Sequence, residues 1–328
     1  MRIAVLGAGA WGTALAAQWA NHHAVTLWGR NTAHIQNAQR TGENGRYLPG
    51  IPLPASLTLT DSLDTALNRA ELVILAVTTG GMRVALRSLA QRIPTLPLVW
   101  VCKGFEPGTR KLPHQVIEET LPSHSNIGVL SGPSFAQEVA KGYPTALTLA
   151  SHDPAFARAM AETLSGARLR IYANDDVVGV EVGGAIKNVM AIAAGICDGL
   201  ALGHNARAAL VTRGLAEMTR LGVKLGGRVE TFMGLSGLGD LILTTTGDLS
   251  RNRQVGLRLA RGQSLDSILD ELGHVAEGVT TAREVATLAA ELNVDMPITH
   301  GVCQMLFEAL PAAQAIDALF NREIKAEF

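Results

Sequence analysis

The chain opens with Met1-Arg-Ile-Ala-Val-Leu-Gly-Ala-Gly-Ala-Trp-Gly12, in which a short apolar run passes directly into three glycines. The run at 2–6 has no polar alternation, which is typical of a strand buried on both faces of a parallel sheet. The alanine-rich stretch at 12–20 predicts a helix, and the β-branched run at 24–28 predicts a second strand. Together they form a strand-helix-strand unit with the glycines at its first turn.

The glycines have the spacing Gly7-x-Gly9-x-x-Gly12. In such a turn the first glycine permits the bend, the second lets the backbone approach a pyrophosphate, and the third lets the helix pack on the strand. A bare match of this length also fits a purely structural turn, but its position between a buried strand and a helix favours a dinucleotide site. We therefore predict that a nicotinamide dinucleotide binds at Gly7, Gly9, Ala10 and Gly12.

The residue after the second strand bears on the choice of cofactor. NAD enzymes usually present a carboxylate to the ribose about 20 residues beyond the turn, whereas this chain has Gly29 followed by Arg30. The guanidinium of Arg30 offers several donors to a 2′-phosphate. The sequence favours NADPH without excluding NADH, and the alternative is that Arg30 is only a solvated surface residue.

The first half of the chain alternates between strand-like and helix-like segments. Further apolar runs lie at 72–77, 98–101, 127–130 and 146–150, and helical stretches lie at 81–91 and 113–120. This alternation predicts an α/β fold with a doubly wound parallel sheet of the Rossmann type. We place this dinucleotide-binding Rossmann domain at 1–176.

The second half, at 177–328, is predicted to be an all-helical substrate-binding domain. Strand-like runs stop, and long alanine- and leucine-rich patterns replace them. Asn205 is expected to cap a helix that runs through Leu221, and Ser250 another that stops at Gly262.

Composition and charge narrow the class of protein. The 328 residues suffice for two domains, and no low-complexity tract is present. The net charge is −1 with the basic residues spread along the chain, unlike a nucleic-acid or anionic-membrane binder. Cys102, Cys197 and Cys303 are odd in number and far apart, which fits neither a disulfide framework nor a metal site. With no signal sequence or membrane span evident, we expect a cytoplasmic protein that acts on small molecules.

Two segments of the first half carry candidate substrate residues. Lys103 follows a buried strand, at the edge where open α/β sheets place their ligands, although it is as readily a surface charge. The stretch Ser131-Gly132-Pro133-Ser134-Phe135-Ala136 follows another strand. It can bring backbone amides and a hydroxyl to an anionic substrate, and its alternative is a plain turn.

The helical half contains a lysine and an asparagine, Lys187 and Asn188, in an otherwise apolar, small-residue helix near the domain junction. A solvated helix face would carry more charge. Burial and the cation Lys103 would both weaken the hold of Lys187 on its proton, which favours a catalytic role. The alternative is a lysine that snorkels from the core.

A further candidate is Gly234-Leu-Ser-Gly-Leu-Gly-Asp240, followed by Ser250-Arg251-Asn252-Arg253 at a helix start. A serine cap, an arginine fork and an amide at a helix N-terminus predict a phosphate pocket. Asp240 is expected to orient Lys187 or to balance its charge. Taken singly, Ser250 is more often only a cap, and Arg253 is expected to be solvated.

Five of these segments occur in the order and spacing of one known family. They are Gly7-Ala-Gly-Ala-Trp-Gly12, the stretch 131–136, Gly184-Ala-Ile-Lys-Asn188, Gly237-Leu-Gly-Asp240 and Ser250-Arg-Asn-Arg253. In them the chain resembles the bacterial NAD(P)-dependent glycerol-3-phosphate dehydrogenase family over nearly its whole length. The resemblance implies hydride transfer from NADPH or NADH to the carbonyl carbon of dihydroxyacetone phosphate while Lys187 protonates the oxygen. The implied product is sn-glycerol 3-phosphate, the backbone of phospholipids.

The resemblance also implies a role for each matching residue. Lys187 is the expected proton donor and acceptor, and Lys103 is expected to help it stabilise the developing alkoxide. The implied substrate contacts are Lys103, Gly132, Ser134, Lys187, Asp240, Ser250, Arg251 and Asn252. The implied cofactor contacts are Trp11, Arg30, Lys103, Ala136, Arg251, Val275 and Glu277. A homodimer is compatible with the sequence.

Two stretches depart from the family pattern. The chain has His22-His23-Ala24-Val25 where many relatives have Gly-His-Glu-Val, and Thr78-Thr79 where they often have Pro-Ser. The second lies beside the expected nicotinamide path, so the sequence does not determine which backbone groups contact the nicotinamide there. Because His22 and His23 have no third ligand in view, no metal site is predicted.

Two other functions compete with this interpretation. Another two-domain reductase, such as a 3-hydroxyacid dehydrogenase or a ketopantoate reductase, also uses a lysine but leaves the Ser250-Arg251-Asn252 pocket without a purpose. A catalytically silent NADPH-sensing regulator would have no need of Lys187 and Asp240.

Overall fold

A computed structural model of the chain describes residues 1–92, 95–122, 124–272, 276–321 and 323. The strands in these ranges are β1 Arg2–Leu6, β2 Ala24–Trp28, β3 Thr58–Thr60, β4 Leu72–Leu75, β5 Leu98–Trp100, β6 Ile127–Ser131, β7 Thr145–Ala150 and β8 Leu169–Asn174. They form one sheet in the order β3-β2-β1-β4-β5-β6-β7-β8. The predicted Rossmann-type sheet is confirmed. One pair departs from the predicted parallel arrangement, because β7 runs antiparallel to β6.

Strand β1 lies at the centre of the apolar core. It pairs in parallel with β2 and β4, so that Ile3 stands beside both Val25 and Leu72. Ile3 and Val5 pack into one apolar cluster, while Ala4 and Leu6 pack into another. Both faces of the strand are therefore buried, as its unbroken apolar run predicts.

The two edge strands, β3 and β8, were not predicted from the sequence. β3 is only three residues long. In β8 the buried residues Leu169 and Ile171 alternate with the exposed Arg170 and Tyr172. A strand with one face in solvent lacks the long apolar run that marks a central parallel strand, so β8 gives a weaker signal.

Helices connect the strands of this part of the chain. They are α1 Ala10–Trp19, α2 Thr32–Thr41, α3 Leu63–Leu67, α4 Thr79–Leu89, α5 Pro113–Thr120, α6 Ala136–Ala140 and α7 Pro154–Leu164. Helix α5 has the predicted bounds, and the fixed φ of Pro113 suits its first turn. Helix α1 begins at Ala10 rather than Gly12, so the glycine turn itself provides the helix N-terminus.

Beyond β8 the described residues contain helices and no strand, which confirms the predicted helical half. The elements are α8 Val177–Gly199, α9 Gly203–Lys224, α10 Val229–Phe232, a π-helical turn Leu235–Gly239, α11 Asp240–Thr246, α12 Arg251–Leu259, α13 Leu265–Leu272, α14 Glu277–Glu291, α15 Pro297–Phe307 and α16 Ala312–Phe320.

Two of these helices test the predicted caps. Asn205 is not a cap, because α9 already begins at Gly203, where a φ of +87° lets the chain turn sharply out of the preceding segment. Ser250 does cap α12, accepting a hydrogen bond from the Arg253 N–H at 3.2 Å. Helix α12 ends at Leu259 rather than at Gly262.

Helix α8 is long and apolar enough to cross a membrane by length and composition. However, 94% of its most apolar window is buried inside the protein. Such burial is typical of a core helix in a soluble protein.

The chain forms two compact units. The first consists of 1–106 and 111–181, and the second of 107–110 and 182–328. The short segment 107–110 belongs to the second unit, where the Gly108 N–H donates to Glu284 at 3.0 Å and Arg110 pairs with Glu291 at 3.1 Å. The predicted division into 1–176 and 177–328 stays a prediction.

Candidate active site

The glycine turn of the first unit is tightly packed at its two ends and open at its middle. Gly7 has a φ of +127°, and a Cβ there would lie 2.7 Å from the Ala76 carbonyl carbon. A Cβ on Gly12 would lie 2.9 Å from the Ala76 Cβ. Around Gly9, in contrast, an added Cβ would meet no atom within 4 Å. Close packing therefore leaves no room for a side chain at Gly7 or Gly12, whereas Gly9 faces open space at the N-terminus of α1.

A buried asparagine holds this turn from behind. The Asn44 amide Nδ2 donates to the Ala8 carbonyl at 3.0 Å and to Thr13 Oγ1 at 2.8 Å. Asn44 Oδ1 lies 2.7 Å from Nε2 of His34 on α2. Sequence reasoning missed Asn44, because a single asparagine in a polar loop carries no pattern that links it to the turn.

The other predicted cofactor residues of this unit lie near the same turn or at the end of β2. Trp11 and Ala136 pack against one small apolar cluster. The Trp11 indole Nε1 is buried without a hydrogen-bond acceptor among the described residues. Arg30 is exposed directly after β2. The open space at Gly9, the orphaned Trp11 donor and the exposed Arg30 guanidinium all fit a phosphorylated dinucleotide.

Three predicted substrate residues of the first unit come together. The Lys103 ammonium donates to the Gly132 carbonyl at 3.1 Å, and the Ser134 hydroxyl donates to the same oxygen at 3.1 Å. Gly132 has a φ of +132°, so a side chain at this position would be strained. The loop after β6 and the segment after β5 therefore meet at one carbonyl.

Lys187 lies on α8 in the second unit, and its ammonium forms an ion pair with the Asp240 carboxylate. It also donates to the Thr244 hydroxyl at 2.9 Å, and that hydroxyl in turn donates to the Asp240 carbonyl at 2.6 Å. Lys187 is 7% exposed and Asp240 is fully buried. Asp240 is thus placed to orient Lys187 or to balance its charge, as predicted, and Thr244 is an additional partner that the sequence did not indicate.

Glycines explain how Asp240 reaches Lys187. A Cβ on Gly183 of α8 would lie 3.1 Å from the Ser236 carbonyl carbon and 3.4 Å from the Gly237 Cα. The π-helical turn can therefore approach the α8 backbone directly, and α11 begins with Asp240 immediately after that turn. π-Helical turns are often found at functional sites.

The predicted phosphate pocket lies at the N-terminus of α12. Ser250 is buried as its cap, while Arg251 is exposed and has no ion pair with any described residue. Asn252 Oδ1 accepts from the Gly278 N–H at 3.0 Å. A Cβ on Gly278 would lie 2.8 Å from the Asn188 carbonyl oxygen. The cap thus lies close to the residue that follows Lys187.

Helix α14 begins with Glu277 beside Gly278, so this predicted cofactor residue is near Asn252 in the second unit. Val275 lies outside the described residues. No cluster of three or more possible metal ligands occurs in the described ranges. The ring of His23 contacts the Thr163 carbonyl at 3.0 Å.

Arg253 corrects one sequence-based expectation. It was expected to be solvated, yet it is 9% exposed. Its Nε and Nη2 donate to one oxygen of Asp198 at 2.9 and 2.7 Å, and Nη1 donates to Asp248 at 2.9 Å. The error is physical in origin, because the residue's partner Asp198 is distant in sequence and becomes a neighbour only when α12 packs on α8.

Comparisons with known proteins agree with this geometry. Residues 2–157 match the family model described as the NAD-dependent glycerol-3-phosphate dehydrogenase N-terminus, and residues 176–317 match that of its C-terminus. The chain is 70% identical to the glycerol-3-phosphate dehydrogenase (NAD(P)+) of Thiobacillus denitrificans over 328 residues, 100% of both chains. It is 59% identical to the protein of the same name from Nitrosospira multiformis, over 100% of this chain and 99% of that one.

A solved structure is similar along nearly the whole chain. The crystal structure of glycerol-3-phosphate dehydrogenase from Coxiella burnetii has a TM-score of 0.94 and 41% identity to this chain. The match covers 98% of this chain and 99% of that one.

Proposed function

The chain belongs to the NAD-dependent glycerol-3-phosphate dehydrogenase family, and we propose that it reduces dihydroxyacetone phosphate reversibly to sn-glycerol 3-phosphate with NADPH or NADH. The observation that carries this proposal is the buried Lys187–Asp240 pair in the same unit as the Ser250-Arg251-Asn252 cap. A phosphorylated ketone needs a proton donor for its oxygen and a cationic pocket for its phosphate. The second unit contains candidates for both.

Lys187 is the proposed general acid. Bound NADPH or NADH supplies the hydride that adds to the carbonyl carbon. As negative charge develops on the carbonyl oxygen, Lys187 donates a proton from Nζ to that oxygen. The Asp240 carboxylate pairs with the ammonium and, together with the Thr244 hydroxyl, fixes its direction. In the reverse reaction the neutral amine of Lys187 removes the proton from the hydroxyl group.

The N-terminus of α12 is the proposed phosphate site. Its first N–H groups and its partial positive charge favour a dianion, and the exposed Arg251 can form a two-pronged pair with phosphate oxygens. Ser250 and Asn252 fix the shape of the cap. Lys103, Gly132 and Ser134 are proposed as further substrate contacts, because they converge on one carbonyl of the first unit.

The glycine turn is the proposed cofactor site, with Gly7, Gly9, Ala10, Trp11 and Gly12 around the pyrophosphate. The exposed Arg30 supports a preference for NADPH, because its guanidinium can pair with the 2′-phosphate. Lys103, Ala136, Arg251, Val275 and Glu277 remain predicted cofactor contacts. We place the enzyme in the cytoplasm, where its product supplies the phospholipid backbone. A homodimer is compatible with the sequence.

The test follows cofactor absorbance with three substrates: dihydroxyacetone phosphate, dihydroxyacetone and an unphosphorylated 2-keto acid. The proposal expects much faster NADPH oxidation with the phosphorylated ketone than with either of the other two substrates. Equal or faster turnover of the keto acid would instead support a ketopantoate-type reductase. NADPH binding without oxidation by any of the three would support a regulator that lacks catalysis.

A further inference from the structure

Arg253 forms ion pairs with two carboxylates beside the proposed phosphate site. Its guanidinium makes three hydrogen bonds, two to Asp198 at the end of α8 and one to Asp248 in the turn before α12. Its main-chain N–H donates to the capping hydroxyl of Ser250. Asp198 has a second partner, Arg207, at 3.2 Å. One residue therefore connects the cap, the turn before it and the end of α8.

The two helices that Arg253 connects are in direct backbone contact. A Cβ on Gly195 of α8 would lie 2.9 Å from the Arg253 carbonyl carbon. A Cβ on Gly256 of α12 would lie 2.8 Å from the Ile196 nitrogen. These glycines set the distance between the helices. Because these glycines carry no side chains, they do so without adding a directional contact.

The Asp198 pair supplies what the glycine contact lacks. Two charged hydrogen bonds from the Arg253 guanidinium to one Asp198 oxygen add a directional contact between α12 and α8. Lys187 lies on the same α8, eleven residues before Asp198, which is roughly 16 Å along the helix axis. The Arg253–Asp198 contact therefore connects the α12 cap to the helix that carries Lys187.

We propose that Arg253 is a positioning residue, which holds the α12 phosphate cap in register with Lys187 through its ion pair with Asp198. This inference rests on the proposed function. Arg253 is not assigned to the phosphate itself, because its side chain is buried and its donors are directed at two carboxylates. The exposed Arg251 has that role.

The test compares Arg253→Gln with Arg258→Gln. Arg258 lies on the same helix and forms a single ion pair with Glu271 at 2.7 Å, away from the cap. For each purified protein, kcat/KM is measured with dihydroxyacetone phosphate and with dihydroxyacetone, together with the Kd for NADPH and the Tm. We expect Arg253→Gln to lose roughly 10- to 100-fold in kcat/KM for the phosphorylated substrate. Its kcat/KM for dihydroxyacetone and its Kd for NADPH stay near wild type, and Arg258→Gln stays near wild type throughout.

An equal loss with both substrates would overturn the proposal, since it would show a merely structural role. An inactive wild type with dihydroxyacetone phosphate would instead refute the proposed function. If Arg253→Gln is too unstable to purify, Arg253→Lys serves in its place, because it keeps the charge but not the two-donor contact. We expect Arg253→Lys to show an intermediate, phosphate-specific loss, and a wild-type substrate ratio in this variant would overturn the proposal.

Asp198→Asn provides an independent arm. The double variant combines Arg253→Gln with Asp198→Asn. If Arg253 acts through Asp198, its kcat/KM for dihydroxyacetone phosphate should fall no further than that of Arg253→Gln alone, because both substitutions remove the same contact. Multiplied losses in the double variant would contradict the proposed link.

Discussion

Lys187 of α8 and Asp240 of α11 form a buried ion pair, and the Thr244 hydroxyl bonds to Lys187 and to the Asp240 main chain. Taking two charges out of water is unfavourable unless they are paired and hydrogen-bonded. A buried ion pair of this kind is by itself weak evidence for stability, and this one lies among the candidate substrate residues. Substitutions in this pair should therefore change the free energy of unfolding and the kcat independently of each other.

We expect Lys187→Met to lose roughly 10²- to 10⁴-fold in kcat while still binding NADPH, because a general acid is lost. Stability should also fall by about 3–5 kcal/mol, because the Asp240 carboxylate is left buried without its cation. Adding Asp240→Asn should restore most of the stability but none of the turnover. Chemical denaturation and steady-state kinetics measure the two effects, and near-normal kcat in Lys187→Met would refute its catalytic role.

Arg251→Ala should mainly raise the KM for dihydroxyacetone phosphate, by roughly 10- to 100-fold, since a charged hydrogen-bond donor to phosphate is removed. The Tm should hardly change because the side chain is exposed and unpaired within the described chain. Arg213→Ala is the control, an exposed arginine on α9. A normal KM in Arg251→Ala would place the phosphate elsewhere.

Arg30→Ser should weaken the binding of NADPH roughly 10- to 100-fold and leave the binding of NADH unchanged, because only the phosphorylated ribose loses a partner. The KM for each cofactor, measured with saturating dihydroxyacetone phosphate, gives the ratio. Parallel losses for both cofactors would contradict a contact between Arg30 and the 2′-phosphate.

Two alanine substitutions in the cofactor turn should behave differently. Gly9→Ala fills open space, so the Tm without cofactor should be unchanged while NADPH binding weakens roughly tenfold or more. Gly12→Ala places a methyl group against Ala76 and Gly7, which should cost about 1–3 kcal/mol even without cofactor. Calorimetry with and without NADPH distinguishes them. Strong NADPH binding by Gly9→Ala would argue against a pyrophosphate at that position.

Glu217 predicts a pH dependence of stability. Its buried carboxylate accepts from the Ile298 N–H at 2.6 Å and from the Thr299 N–H and hydroxyl at 3.1 and 3.0 Å. Burial raises the pKa of Glu217 to about 7, although these hydrogen bonds and Arg220 oppose the shift. The folded protein thus holds a proton that the unfolded chain releases near pH 4.5. Stability should fall as the pH rises from about 4.5 to 7, by on the order of 3 kcal/mol.

Glu217→Gln should remove that component, because the amide does not titrate. Glu230→Gln, at an exposed position of the same unit, should keep the wild-type pH profile. Denaturation at several pH values measures the slope. A wild-type profile in Glu217→Gln would refute the assigned ionisation.

The strand, turn and helix at the N-terminus could be predicted because their signals are local. An unbroken apolar run, three spaced glycines and an alanine-rich stretch are each read within a few residues. The weaker elements depend on their neighbours. Edge strand β8 has one solvent face, and Asn205 was misplaced because the turn at Gly203 starts α9 earlier.

Arg251 and Arg253 show where local signals end. By itself, the sequence determined the fold class, the cofactor turn and the motif that contains both arginines. Two positions apart on a helix, however, side chains point in nearly opposite directions, and only packing decides which one meets a neighbour. Contact between α8 and α12 buried Arg253 against Asp198 and left Arg251 exposed. Tertiary structure likewise brought Thr244 to Lys187 and Asn44 to the glycine turn, because those partners are close in space and distant in sequence.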